Sequence, residues 1–202
     1  RKLGKTDFRL LQEIYSQNEE SQPIAQIADK LHPWAAFIFA GSTFPQGYSS
    51  ETGADMLLTN AAADINKPRG SLESLDDVTA IFKAQPEETM LNFLKASIKT
   101  NKEETEDVKK LHQAYSDGRF EELIPLLEEI EQRTLKLVDT KYAKAMSDWL
   151  KNDLLIRRNL AWLPEIRKQS SKQSTLFAVG IAHLPSEKGL IELHQHLVCL
   201  LL

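Results

Sequence analysis

The stretch Gln173-Ser-Thr-Leu-Phe-Ala-Val-Gly-Ile-Ala-His183-Leu-Pro-Ser-Glu-Lys-Gly-Leu190 separates a purely helical chain from one that also holds a sheet. Residues 176–179 are a short apolar run closing on a β-branched valine, which reads as a buried strand. Gly180 ends that run, and His183 follows at its mouth. Pro185, Ser186 and Glu187 then give a start signal for another helix. A histidine held at the end of a buried strand can turn a ring nitrogen toward a metal or a substrate. Its alternative role is structural, as a hydrogen-bonding residue of the loop.

Working back from that block, the chain reads as helices around a few short strands. Residues 7–17 carry Phe8, Leu10, Leu11, Ile14 and Tyr15 near a helical stripe, with Thr6 or Asp7 as N-cap. Pro23 opens a second helix presenting Ile24, Ile27, Ala28 and Leu31 on one face, and His32-Pro33 stops it. Residues 34–40 are apolar throughout, which leaves buried helix and strand both open. Residues 41–53 are rich in Gly, Ser, Thr and Pro and read as an exposed loop. The next helix, 54–65, spaces Met56, Leu57, Ala61 and Ile65 to face a core, and residues 69–72 offer a short strand ending at Glu73.

From Ser74 to about Lys168 the pattern is almost wholly helical. Ser74 with Asp77 forms a capping box, and Pro86-Glu87-Glu88 opens the next helix with two acids at its positive end. The mixed charges of residues 99–110 describe a solvated helix face. Asp117-Gly118-Arg119 is a break; Leu123, Leu126, Leu127 and Ile130 mark a packed stripe, and Leu135, Val138, Tyr142, Ala145 and Trp149 continue at helical spacing as one long amphipathic helix. The resulting expectation is an α+β, predominantly α-helical chain, with a helical insertion between short strands of a small sheet. It is read as one domain over 1–202. Within it fall a strand-and-helix region over residues 1–73 with its loop 41–53, a helical region over residues 74–168, and a terminal strand and helix in 174–202.

Composition narrows the function classes. The 202 residues are 42% hydrophobic and 27% charged, the profile of a folded globular chain. A net charge of −4 and the lack of a basic stripe argue against nucleic acid as a partner. The apolar run 197–202 falls far short of the roughly 20 residues that span a bilayer. The single cysteine, Cys199, closes no internal disulfide and sits in an apolar tail where it reads as inert. His112 lies in a charged helix and reads as surface, while His194 and His196, two apart, point away from each other on a helix. No phosphate loop, nucleophile elbow or HExxH motif occurs.

Six blocks, in order, resemble the TraB/GumN family, relatives of the Tiki proteins. His32-Pro33-Trp34-Ala35 is similar to its Lys-Pro-Trp segment, and Gly53-Ala-Asp55-Met-Leu57 with Ala61 to its Gly-(Ile/Val)-Asp-x-x-Leu-x-x-x-Ala helix. Lys67-Pro68 through Leu72-Glu73-Ser74 resembles Lys-Pro-x-x-x-Leu-Glu-Thr, and Tyr115-Ser-Asp-Gly118-Arg the Trp-x-x-Gly-Asp turn. Arg158-Asn159-x-x-Trp162 is similar to the Arg-Asn pair before the last strand, and Gly180 to His183 to the terminal Gly-x-x-His. Two departures stand out. The family's first Gly-x-x-His and the glutamate-ended strand after it do not appear, so the chain is expected to begin after that half. His194-Gln-His196 and the leucines beyond replace its usual terminus.

The resemblance implies a partial Tiki/erythromycin-esterase-like fold and a divalent-metal peptidase site. Carried onto this sequence, His183 and Glu73 become candidate ligands for Mn, Co or Zn. Arg158 becomes a candidate for binding a substrate carboxylate or a developing oxyanion. Two ligands fall short of the three that catalytic sites generally use, so the hydrolase is expected to be inactive or incomplete as this chain. The alternative is a non-catalytic binding or regulatory protein, as the TraB branch suggests through pheromone shutdown. Glu73 and Arg158 also have structural alternatives, as a helix cap and as a buried ion-pair partner. The resemblance further implies a peptide or protein substrate or partner and an extracytoplasmic setting (periplasmic, secreted or membrane-anchored). The open edge left by missing strands implies a homo-oligomer or exchange of elements between chains.

Overall fold

The structure, a computed structural model, describes residues 3–17, 19–42 and 47–194. His196, Cys199 and the apolar run 197–202 therefore lie outside the described residues, as does a portion of the 41–53 loop. Ten α-helices are found among the described residues, and no strand: α1 (Lys5–Tyr15), α2 (Gln22–Ile27), α3 (Pro33–Gly41), α4 (Ala54–Asp64), α5 (Leu75–Lys83), α6 (Glu87–Ser116), α7 (Leu123–Leu135), α8 (Thr140–Asp148), α9 (Arg157–Ser170) and α10 (Leu190–Leu193). A π-helical segment, Trp149–Ile156, runs directly into α9.

The expected α+β architecture with a small sheet is overturned: the described residues are helical, with no sheet at all. Neither expected strand is one, and the reasons differ. Residues 69–71 are exposed and only Leu72 reaches a core, so nothing holds that segment against a neighbour. Residues 174–180 are free of helix, and their side chains alternate: Thr175, Phe177 and Val179 are half-buried while Leu176 and Ala178 are exposed. That alternation has the period of a strand, but a sheet needs a second strand to complete the ladder, and none lies alongside among the described residues.

The chain divides into two compact units, Arg1–Tyr48 with Phe82–Ser147, and Ser49–Ile81 with Asp148–Leu202. In the first, Leu11, Ile14, Tyr15, Ala28, Ala36, Ala40, Leu94 and Ile98 form one core. The small Ala36 and Ala40 of α3 suit the close approach that such packing needs, and the apolar run 34–40 resolves as helix. The buried Tyr15 hydroxyl donates to the Ala36 carbonyl oxygen at 2.7 Å, and burial raises its pKa. In the charged run of α6, Lys99, Glu103, Glu106, Lys109 and Lys110 are exposed, Glu104 is half-buried and accepts from Thr100, and Asp107, 7% exposed, is paired with Arg133 of α7.

Local signals fix several boundaries. Ser74 and Asp77 form the expected capping box: the Ser74 amide donates to Asp77 Oδ2 at 3.0 Å, and the Asp77 amide to Ser74 Oγ at 3.1 Å. Gly118, at φ +71°, ends α6 as the Asp-Gly-Arg break requires. Three other expectations are corrected. α1 begins at Lys5, ahead of Thr6 and Asp7, with no side-chain cap. No residue of α4 is buried, and Met56, Leu57 and Ile65 are exposed. The stripe from Leu135 to Trp149 is not one helix, because α7 ends at Leu135 and α8 starts at Thr140.

The second unit holds a smaller core of Trp162, Ile166 and Leu190, with Leu72, Phe177, Val179 and Leu184 packed against it. His183 sits in a single 3₁₀ turn, Ile181–His183, rather than at a strand end. The following helix is α10, which starts from Gly189 and not from Ser186.

Candidate functional site

Every residue that the sequence singled out for chemistry lies in this second unit. A π turn advances the chain by one residue more than an α turn, so the π-helical segment sets which face of α9 its first residues occupy. Arg158 and Trp162, four apart, then fall on one face of α9. The Arg158 guanidinium carbon lies 4.9 Å from the Trp162 ring centroid, stacked as a cation on an indole.

Glu73 comes to the same place from the segment before α5. Its Oε2 accepts from Arg158 Nε at 3.0 Å and its Oε1 from Arg158 Nη2 at 2.5 Å, a two-pronged ion pair. The Trp162 indole N–H adds a third bond to Glu73 Oε2 at 3.2 Å. Arg158 Nη1 turns back to the Leu154 carbonyl oxygen at 3.0 Å. Both carboxylate oxygens are thus taken, and so are all three guanidinium nitrogens. Glu73 does not cap α5, a task that Ser74 performs.

His183 lies against the same indole, with ring centroids 4.5 Å apart, so Trp162 touches both candidate ligands. Asn159 fixes the imidazole. Its Nδ2 donates to the carbonyl oxygens of His183 at 3.2 Å and Lys188 at 2.8 Å, which closes the loop between them. That leaves Asn159 Oδ1 as the acceptor facing His183 Nδ1 at 2.7 Å. The imidazole proton therefore sits on Nδ1, and Nε2 carries the lone pair. Burial lowers the His183 pKa to about 4; the Arg158 charge pushes in the same direction and the Glu73 charge opposes them. The ring is neutral at any ordinary pH.

The two glycines of the block differ in what they do. A Cβ on Gly180 would meet His183 Cδ2 at 3.8 Å, an ordinary contact. A Cβ on Gly189 would lie 2.0 Å from the Pro185 carbonyl oxygen, so the chain folds back there only because no side chain is present.

The geometry brings Glu73, Arg158 and His183 into one cluster. It adds Asn159 and Trp162, to which the sequence assigned no role although both lie in the Arg158-Asn159-x-x-Trp162 motif. Nothing in the local pattern marks Asn159 as the partner of a histidine 24 residues away. His112 is exposed and meets Tyr48 edge-on at 5.4 Å, and His194 lies just past α10.

A divalent ion does not fit this donor set. His183 Nε2 is open, but both oxygens of the Glu73 carboxylate already accept from a guanidinium whose positive charge would repel the ion. Among the described residues no three His, Cys, Asp or Glu side chains gather where they could hold a metal. Among them, too, no helix is long and apolar enough to cross a membrane.

An arginine–glutamate pair and a histidine–asparagine pair closed over one tryptophan agree with the order of motifs along the chain. The sequence profile of the TraB/PrgY/gumN family matches residues 1–196, and the chain belongs to that family. Comparison with curated proteins and with solved structures finds no match.

Proposed function

We propose that this chain is a non-catalytic member of the TraB family, binding or regulatory in role, in which the Glu73 cluster is structural. The observation that supports the reading is the engagement of both Glu73 oxygens by Arg158 and Trp162, which sets a guanidinium on the one carboxylate offered to a metal beside His183. Burial lowers the pKa of His183 to about 4, which makes the ring a weak base near neutrality, and no nucleophile is hydrogen-bonded to it.

A second reading, a Tiki-like metal-dependent peptidase, is favoured by one feature of His183. Metal-binding imidazoles donate one ring N–H to a fixed acceptor and offer the other nitrogen, which is how Asn159 holds this one. The remaining ligands would then come from outside the described residues.

Titration with Mn, Co and Zn ions, read as melting temperature, separates the two. The proposal expects wild type and His183→Ala to respond alike. A stabilisation by micromolar metal that disappears in His183→Ala would establish the second reading.

A further inference from the structure

We propose that the Arg69–Gly70 bond is a site of limited proteolysis for serine proteases with an acidic S1 pocket, and that the cut frees α4. The inference is independent of the role assigned to the Glu73 cluster. Residues 63–71 are all exposed, the longest such run among the described residues, and residues 67–71 lie outside helix and turn. A Cβ on Gly70 would meet nothing within 4 Å, so the bond to be cut is open to approach. Exposed loops of small and polar residues are where proteases nick folded chains.

The residues around the bond, Lys67-Pro68-Arg69-Gly70-Ser71, suit this class of enzyme. Proteases of this kind take their substrate as an added extended strand. Pro68 fixes its own φ and confines Lys67 to extended backbone, so the approach to the bond is already shaped. The Arg69 guanidinium matches an acidic S1 pocket, and its present tie is one exposed bond from Nη1 to the Thr59 carbonyl oxygen at 3.3 Å. Gly70 and Ser71 put no bulk beyond the bond. One main-chain bond must be given up, from the Lys67 amide to the Ala62 carbonyl oxygen, and it closes the end of a helix with no buried residue. Other basic residues are less available: the amides of Arg119, Lys136 and Lys172 each bond back into the preceding helix, and residues 41–53 hold no Lys or Arg. In the cut the C–N bond between Arg69 and Gly70 breaks. The oxygen of one water goes to the Arg69 carbonyl carbon as a carboxylate, and its two protons go to the Gly70 nitrogen as an ammonium. Leu72 in the core and Glu73 on Arg158 then hold the new amino end. α4 keeps only its N-terminal connection and the half-buried Leu58 and Ala62, and a free helix of its length is marginal in water.

The test is digestion of the full chain with trace trypsin under native conditions, the first cut within residues 10–190 being located by mass spectrometry. Amide hydrogen exchange is then compared between intact and nicked chain. Trypsin is expected to cut first after Arg69. Arg69→Gln should slow that cut by at least about a hundredfold with circular dichroism unchanged, because the pocket's carboxylate loses its cation. Gly70→Pro, which blocks the same bond with Arg69 in place, should do likewise. In the nicked chain the amides of α4 should exchange faster while those of α9 stay protected. A first cut elsewhere would overturn the proposal. So would α4 amides as slow in the nicked chain as in the intact one, or exchange that quickens equally in α9.

Discussion

Acidification is the perturbation to which the cluster should respond most. In the unfolded chain the His183 imidazole takes up its proton near its ordinary value of 6.5, and in the folded chain only near 4, chiefly because it is 6% exposed. Between those values the unfolded state binds the extra proton. The neutral ring's contribution is therefore complete above about 6.5 and is lost as the pH falls toward 4. The displacement corresponds to about 3 kcal/mol, a substantial fraction of the ~5–15 kcal/mol that a domain has in total. Urea unfolding of wild type and His183→Gln, followed at pH steps from about 7 downward, isolates the effect because every other group titrates in both. The advantage of wild type over the variant should shrink by about 3 kcal/mol across that window, and the His183 ring resonances in NMR should not move until the pH nears 4. Parallel stability profiles, or ring resonances that titrate near 6.5, would refute the reasoning.

Two further perturbations probe the same unit. A double-mutant cycle of Glu73→Gln and Arg158→Met should give a favourable coupling of about 1–3 kcal/mol, since the pair is two-pronged and only about a fifth exposed on each side; additive single effects in urea unfolding would mean the ion pair contributes nothing. Gly189→Ala should destabilise by more than about 2 kcal/mol, because its Cβ would meet main-chain oxygen that cannot move aside, whereas Gly180→Ala should stay within about 1 kcal/mol. Equal melting temperatures for the two alanine variants would show that the block does not fold back as described.

What the sequence disclosed depended on how local the determining interaction is. The Ser74–Asp77 box and the Gly118 stop each involve neighbours three or four residues apart, and both were readable. The orientation of α4 was not: Met56, Leu57 and Ile65 have core-facing spacing, but spacing cannot say whether anything lies opposite. The same limit explains residues 176–179, where a short apolar run closing on a β-branched valine reads as a strand while the partner strand is a separate matter. The π-helical segment left no mark in the periodicity, although the placement of Arg158, Asn159 and Trp162 follows directly after it. Of the site, the motif blocks supplied the members Glu73, Arg158 and His183, and only the folded chain supplied the pairing.

That pairing sets structural and metal-binding roles against each other. Arg158 stacks on Trp162 while holding Glu73, and on the same indole His183 is kept neutral. A proton on His183, or a divalent ion on its Nε2, would add positive charge beside a guanidinium that already lowers the ring's pKa. Glu73 can balance one of those charges but not both, since its two oxygens are committed to Arg158. An arrangement in which Glu73 turned from Arg158 to a metal would leave a half-buried cation with only the Leu154 carbonyl oxygen and the Trp162 ring as partners. The described cluster holds the ion pair, and a Glu73–His183 metal centre would have to form against the charge of Arg158.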